Sequence, residues 1–209
     1  MRIWMILVAV LLAVPVGAAE KDSKNPLNPT GGGHFEVVDP AEKLAPDKAE
    51  RIYRRLRPRL RAAYALSADR TAGGYAKWRR FNRAPYESKQ HGGRYLSNYG
   101  NQAAQAYGRF EKAGKLPPGA IIAKDSSSVG KDGQVLPGPL FIMEKMAPGF
   151  DKASGDWRYS QIMPDGSILG VSKGPGAENV GYCGPCHARV ARRDHLFFIP
   201  RAYRLGPAE

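Results

Sequence analysis

Four short runs carry the reading of the fold: Ala120-Ile121-Ile122-Ala123-Lys124, Leu140-Phe141-Ile142-Met143-Glu144-Lys145-Met146, Trp157-Arg158-Tyr159-Ser160-Gln161-Ile162-Met163 and Ser167-Ile168-Leu169-Gly170-Val171. Each is rich in β-branched, aromatic and other apolar residues, and turn formers stand between them. These are Gly130-Lys131-Asp132-Gly133, Pro137-Gly138-Pro139 and Pro164-Asp165-Gly166. Runs of this length with such boundaries read as strands. Connections this short join antiparallel neighbours, because a parallel pair needs a crossover of a dozen residues or more. With helical patterns on both flanks, the arrangement predicts an α+β fold, mainly an antiparallel sheet with flanking helices.

Composition agrees. The chain has 209 residues, enough for one domain with a core of its own. Its 24 glycines and 17 prolines make up about a fifth of it, against roughly an eighth in ordinary proteins. That much punctuation disfavours a helical bundle or coiled coil. Only two cysteines are present, which rules out a disulfide-dense scaffold.

Working towards the amino terminus, Tyr75, Trp78 and Phe81 form an aromatic cluster, and residues 102–112 read as a helix closed by Gly114. Residues 40–66 read as another helix. Asp39 is its cap, Pro40 its first position, and Glu42 the acid three after the cap. Ile52, Leu56 and Leu60 supply one apolar stripe, and Pro58 is expected to kink or divide it. Before it, Met1-Arg2 and the apolar run 3–16 lead into Val16-Gly17-Ala18-Ala19. The run falls short of the ~20 apolar residues of a spanning helix and has small residues after it, as a cleaved export signal does. The organisation expected is a signal peptide over 1–19, a leader rich in Asn, Pro and Gly over 20–39, a basic helical extension over 40–72 and the main domain over 73–209. The expected location is periplasmic.

Export also bears on the charge. The chain carries 32 Lys and Arg against 19 Asp and Glu, a formal +13, one less once Arg2 is removed. Lys48, Arg51, Arg54, Arg55, Arg57, Arg59, Arg61 and Arg70 crowd into one segment against Glu50 and Asp69. An exported chain seldom meets nucleic acid, and no recognition motif accompanies the charge. A solvated helix face is the first reading; peripheral contact with an anionic membrane, or an acidic redox partner, comes next.

The chemistry concentrates in Cys183-Gly184-Pro185-Cys186-His187. Cys-x-x-Cys-His is the attachment motif of c-type haem, in which two thiols add to the porphyrin vinyl groups and the histidine binds the iron. Cys-Gly-Pro-Cys is also a thioredoxin tetrapeptide, and a zinc site is a third reading. Position separates them. The motif lies 22 residues from the end with no long apolar strand before it, and zinc lacks a second cysteine pair. The adjoining His187 and the export signal favour haem. His34, His91, His195, Met143, Met146 and Met163 are the remaining candidates for the other side of the iron.

Trp78-Arg79-Arg80-Phe81-Asn82, His91-Gly92-Gly93-Arg94-Tyr95, Ala120-Ile121-Ile122-Ala123-Lys124-Asp125, Gly138-Pro139-Leu140-Phe141-Ile142-Met143-Glu144-Lys145-Met146, Trp157-Arg158-Tyr159 and the haem motif occur in that order. Together they resemble the cytochrome P-460 family, mono-haem c-type cytochromes that include green-haem hydroxylamine oxidases and the cytochromes c′-beta. The resemblance spans roughly residues 75–204 and leaves out the basic helix. Lys124 on its expected strand makes it specific.

The resemblance implies one haem c held by Cys183 and Cys186, with His187 as the metal ligand and an open position on the iron. It implies a homodimer, a small nitrogenous ligand and an external redox partner such as another cytochrome. Lys124 matches the lysine that green-haem members cross-link to the porphyrin, which asks for an amine able to lose its proton in an apolar pocket. Glu144 resembles the pocket carboxylate that would take protons from hydroxylamine, and Arg94 the pocket arginine. Arg158 and Tyr159 are expected near the haem propionates, and Phe141 over the ligand side. The alternatives are a nitric oxide or gas-binding protein without turnover, an electron carrier, or a thiol–disulfide oxidoreductase.

Overall fold

The computed structural model describes residues 43–130 and 134–206. The expected signal peptide, leader and Asp39 helix start, and residues 131–133 of the first turn, lie outside the described residues.

Chain order begins with helix α1 (Pro46–Tyr64), the short α2 (Arg70–Gly74) and strands β1 (Arg79–Arg80), β2 (Tyr86–Ser88) and β3 (Arg94–Gly100). Next come β4 (Ile121–Val129), β5 (Val135–Pro137), β6 (Leu140–Lys145), β7 (Trp157–Ile162) and β8 (Ile168–Val171). Helix α3 (Cys183–Ala188) follows the last strand. The eight strands form one antiparallel sheet in the order β1-β3-β4-β6-β7-β8, with β2 also on β3 and β5 also on β4. This is the α+β architecture expected, and all four predicted strands are in it. The first is longer, because Asp125 to Val129 continue it past Lys124.

Strand β4 has β3 along one edge and two partners along the other: β6 opposite Ile121–Lys124, and β5 opposite Ser127–Val129. Gly138 lets the chain pass between them. A Cβ there would meet Ser126 Oγ at 2.3 Å, and its N–H donates to the Ser126 carbonyl at 2.8 Å.

Side chains alternate across the sheet. Leu96, Ile122, Phe141, Met143, Trp157 and Tyr159 share one core with Tyr107, Phe110, Leu196 and Ile199. Tyr99, Ala123, Leu140, Ile142 and Ile162 face the other way, where α1 covers them with Tyr53, Leu60 and Tyr64.

Helix α1 departs from its sequence reading in three ways. It starts at Pro46, since residues 43–45 are not helical. It runs through Pro58 as one element, because burying Tyr53, Leu60 and Tyr64 at about 1.5–3 kcal/mol each offsets a proline cost of roughly 3 kcal/mol. Its buried stripe is Ala49, Tyr53, Leu60 and Tyr64, with Ile52 and Leu56 only half-buried. Arg51, Arg54, Arg55, Arg59 and Arg61 are exposed, a solvated face, while Arg57 turns inward to the Ala76 carbonyl at 2.9 Å. Residues 102–112 are helical as expected but wound as 3-10, with a break at Phe110 (φ 53°, ψ −122°).

The tyrosines of this layer are held by polar bonds. Tyr53 and Tyr75 donate to Asp125 Oδ2 at 2.7 and 3.0 Å, Tyr53 and Tyr99 hydroxyls are bonded to each other, and Tyr64 donates to the Gly138 carbonyl. Burial pushes the Asp125 carboxyl up from 3.8 to about 6, although Tyr53, Tyr75, Arg80 and Arg57 pull it down. A carboxyl raised in the fold contributes stability that is complete below its unfolded value and lost as pH rises through its folded one. Asp125→Asn should therefore gain on the wild type by up to about 3 kcal/mol between pH 4 and 7, from a shift of about two units. Chemical unfolding across that window checks this; a gap independent of pH contradicts it.

Candidate haem site

The core on the Phe141 face of the sheet is incomplete. Between the sheet and α3 lies a cavity with about 960 Å³ of empty space, counting its open mouth. Its floor is the sheet: Lys124 of β4, Phe141 and Met143 of β6, and Tyr159 of β7. Strand register sets them side by side, Lys124 opposite Phe141 and Met143 opposite Tyr159. Cys183, Cys186 and His187 of α3 line it too, as do His91, Tyr182, Phe197 and Phe198.

His187 stands against Tyr159 and Phe197, at ring-centre distances of 5.2 and 5.3 Å. Its Nδ1 is 2.7 Å from the His195 carbonyl oxygen, so Nδ1–H donates and Nε2 keeps its lone pair. Burial, then the Lys124 charge, brings His187 down to about 3, although the bond to His195 opposes this. A neutral imidazole fixed through Nδ1 is what a metal ligand requires.

The loop that supplies this carbonyl is tied down. Asp194 and His195 both have left-handed backbones, φ 54° and 61°. Asp194 forms a buried ion pair with Lys145, accepts the Leu116 N–H at 2.9 Å through Oδ2, and accepts Trp157 Nε1–H at 2.8 Å through its carbonyl. Lys145 also donates to the Gly155 carbonyl at 2.7 Å. None of this was visible in sequence, because a backbone carbonyl leaves no residue signature. Trp157 and Lys145, next to the strand residues already singled out, were the nearest available signal.

Lys124 is 3% exposed. Burial depresses its amine from 10.5 to about 8, although Cys183 and Cys186 act the other way. This is the deprotonation-prone lysine that the chemistry of a cross-link asks for. The Cys183 thiol is pushed up to about 12, chiefly by burial. A thiol–disulfide oxidoreductase works through a readily formed thiolate, so this environment argues against that reading. Among the described residues no group of three or more His, Cys, Asp or Glu is placed to hold a metal ion.

The donor set fits a c-type haem: two thiols on one short helix, a neutral imidazole beside them, and an apolar, aromatic-lined space. The buried Tyr159 hydroxyl has no hydrogen-bond partner among the described residues, which leaves it for a polar group of an occupant.

Three expected site residues lie elsewhere. Glu144 has the parity of Leu140 and Ile142, so it belongs to the opposite face of the sheet from Phe141 and Met143. There it pairs with Arg158, its register partner, and neither lines the cavity. Neither the pocket carboxylate nor the propionate arginine is therefore at its expected place. Arg94, at the start of β3, is also absent from the lining; it stands beside Gly138, in the field of Tyr64 and Tyr182, and burial lowers its pKa. Of the candidates for the other side of the iron, His91 and Met143 line the cavity, Met146, Met163 and His195 do not, and His34 lies outside the described residues.

The family model described as Cytochrome P460 matches residues 72–198, a span that holds the whole sheet and α3 and leaves out α1. No curated protein matches the chain.

Proposed function

The chain belongs to the cytochrome P460 family and is on that ground a haem-binding cytochrome, and from this premise we propose that it is an exported mono-haem c-type cytochrome that oxidises hydroxylamine or a related small nitrogen compound. Cys183 and Cys186 would hold the group by thioether bonds and His187 would supply a nitrogen ligand to its iron. The haem iron, when present, supplies an open coordination position and accepts electrons. The protein's own contribution is to hold His187 neutral through the His195 carbonyl, to exclude water with Phe141, Phe197 and Phe198, and to keep the Lys124 amine in a dry site. An external redox partner would take the electrons onward.

The observation that carries the catalytic reading is Lys124: buried, depressed to about 8 and lining the same cavity as the two cysteines. A second reading, a nitric oxide or gas-binding protein without turnover, draws support from Glu144, which faces away from the cavity and cannot take protons there. Steady-state assays on the matured protein with hydroxylamine and an artificial electron acceptor separate the two. Sustained acceptor reduction dependent on hydroxylamine is expected. Ligand-induced spectral change with no turnover would contradict the catalytic reading and leave the binding protein.

A further inference from the structure

With Glu144 on the far side of the sheet, the cavity needs another polar group to engage a small ligand. His91 closes a 3-10 turn, Lys89–His91, whose exit is fixed by Gly92 (φ 71°) and Gly93 (φ 68°). Its ring stands edge-on to Phe141 at 4.8 Å, and Ser88 Oγ lies 2.9 Å from Nδ1. With Nδ1 so engaged, no hydrogen bond from the described residues occupies Nε2. The two imidazoles that line the cavity pack on different parts of the floor, His91 on Phe141 of β6 and His187 on Tyr159 of β7. Lys124 is within electrostatic reach of both.

We propose that His91, oriented by Ser88, is the residue that hydrogen-bonds a small nitrogen ligand in this cavity through Nε2. The inference rests on the proposed open iron position. Burial lowers the His91 pKa well below 6.5, with Lys124 and His187 adding to the effect, so the ring is neutral and one nitrogen remains available for the ligand. Ser88 also lines the cavity, and its part here is that of a positioning residue, holding the ring through Nδ1. Glu87 and Gln90 also line the cavity, but neither makes a hydrogen bond that fixes its direction there. Phe141 supports the ring's flank, so a bulky apolar replacement keeps the packing and removes only the nitrogens.

The test uses the full-length, haem-loaded protein and reads equilibrium binding of hydroxylamine to the ferric form by optical titration. His91→Leu is expected to weaken binding about tenfold, the worth of one hydrogen bond in a dry site. His91→Gln should recover part of the loss, and Ser88→Ala should show a smaller one. Glu178→Gln, exposed and away from the cavity, should leave the affinity within twofold. If His91→Leu does not fold, the His91→Gln and Ser88→Ala titrations decide the matter alone. Affinities within twofold of wild type in both would overturn the proposal while leaving the open position intact. A wild-type protein that binds no added ligand until His91 is replaced would show His91 itself on the iron. That outcome overturns both this role and the open resting site.

Discussion

Asp194→Ala should lower the unfolding free energy by about 3–5 kcal/mol, or roughly 6–20 °C in Tm for a chain of this size. The reason is asymmetry. The Asp194 and Lys145 side chains are 4% and 11% exposed, so deleting the carboxylate leaves an ammonium with little access to water. The Leu116 N–H loses its acceptor at the same time. The damage should reach the site, since the next residue supplies the carbonyl that fixes His187. A second variant separates charge from packing: Lys145→Met combined with Asp194→Leu removes both charges and should recover much of the loss. Urea unfolding of the wild type and the two variants measures this. A cost below 1 kcal/mol for Asp194→Ala would show that the pair does not anchor the loop.

Lys124 carries the second large effect. If its amine joins the macrocycle, digestion of the matured wild type gives a peptide containing Lys124 linked to the peptide with Cys183 and Cys186. The Soret band is then strongly displaced to the red. Lys124→Met should abolish the linked peptide entirely and return the spectrum to that of an ordinary c-type cytochrome. Lys124→Arg should do the same while keeping the charge, because a guanidinium does not lose its proton at accessible pH. Identical spectra in wild type and Lys124→Met would remove the cross-link and weaken the catalytic reading with it.

How far the sequence carries depends on which physical cause placed each residue. Strands β4, β6, β7 and β8 were legible because apolar runs end at Gly and Pro turns. Strand β3, with partners on both edges, was not. Its Ser97 and Asn98 look like loop residues, yet both are buried; Asn98 is satisfied by Asn82, Tyr86 and Tyr107. Tyr53 and Tyr64 were missed as core for a related reason, since their hydroxyls are bonded by Asp125 and by the Gly138 carbonyl on the sheet. Cys183, Cys186 and His187 stand out in the sequence by the spacing of their motif, and Lys124 by the apolar strand around it; the structure places all four on one cavity. Glu144 shows the limit. Its type and strand were right, but one residue of strand parity decides which face it occupies, and parity is settled by the pairing of Lys124 with Phe141. His91 shows the converse. A histidine before two glycines carries no sign of a pocket residue until the turn brings it onto Phe141.

The basic helix α1 lies outside the matched family span and covers the face of the sheet that does not hold the cavity. Its arginines therefore have no part in the cavity chemistry.

The most direct test of the account is the mass of the protein produced with a c-type cytochrome maturation system and then extracted with acid–acetone. One haem should remain bound to the wild type, on the peptide that carries Cys183 and Cys186, and none to the Cys183→Ala, Cys186→Ala double variant. Wild-type protein that emerges free of haem, or a double variant that keeps it, would contradict the account.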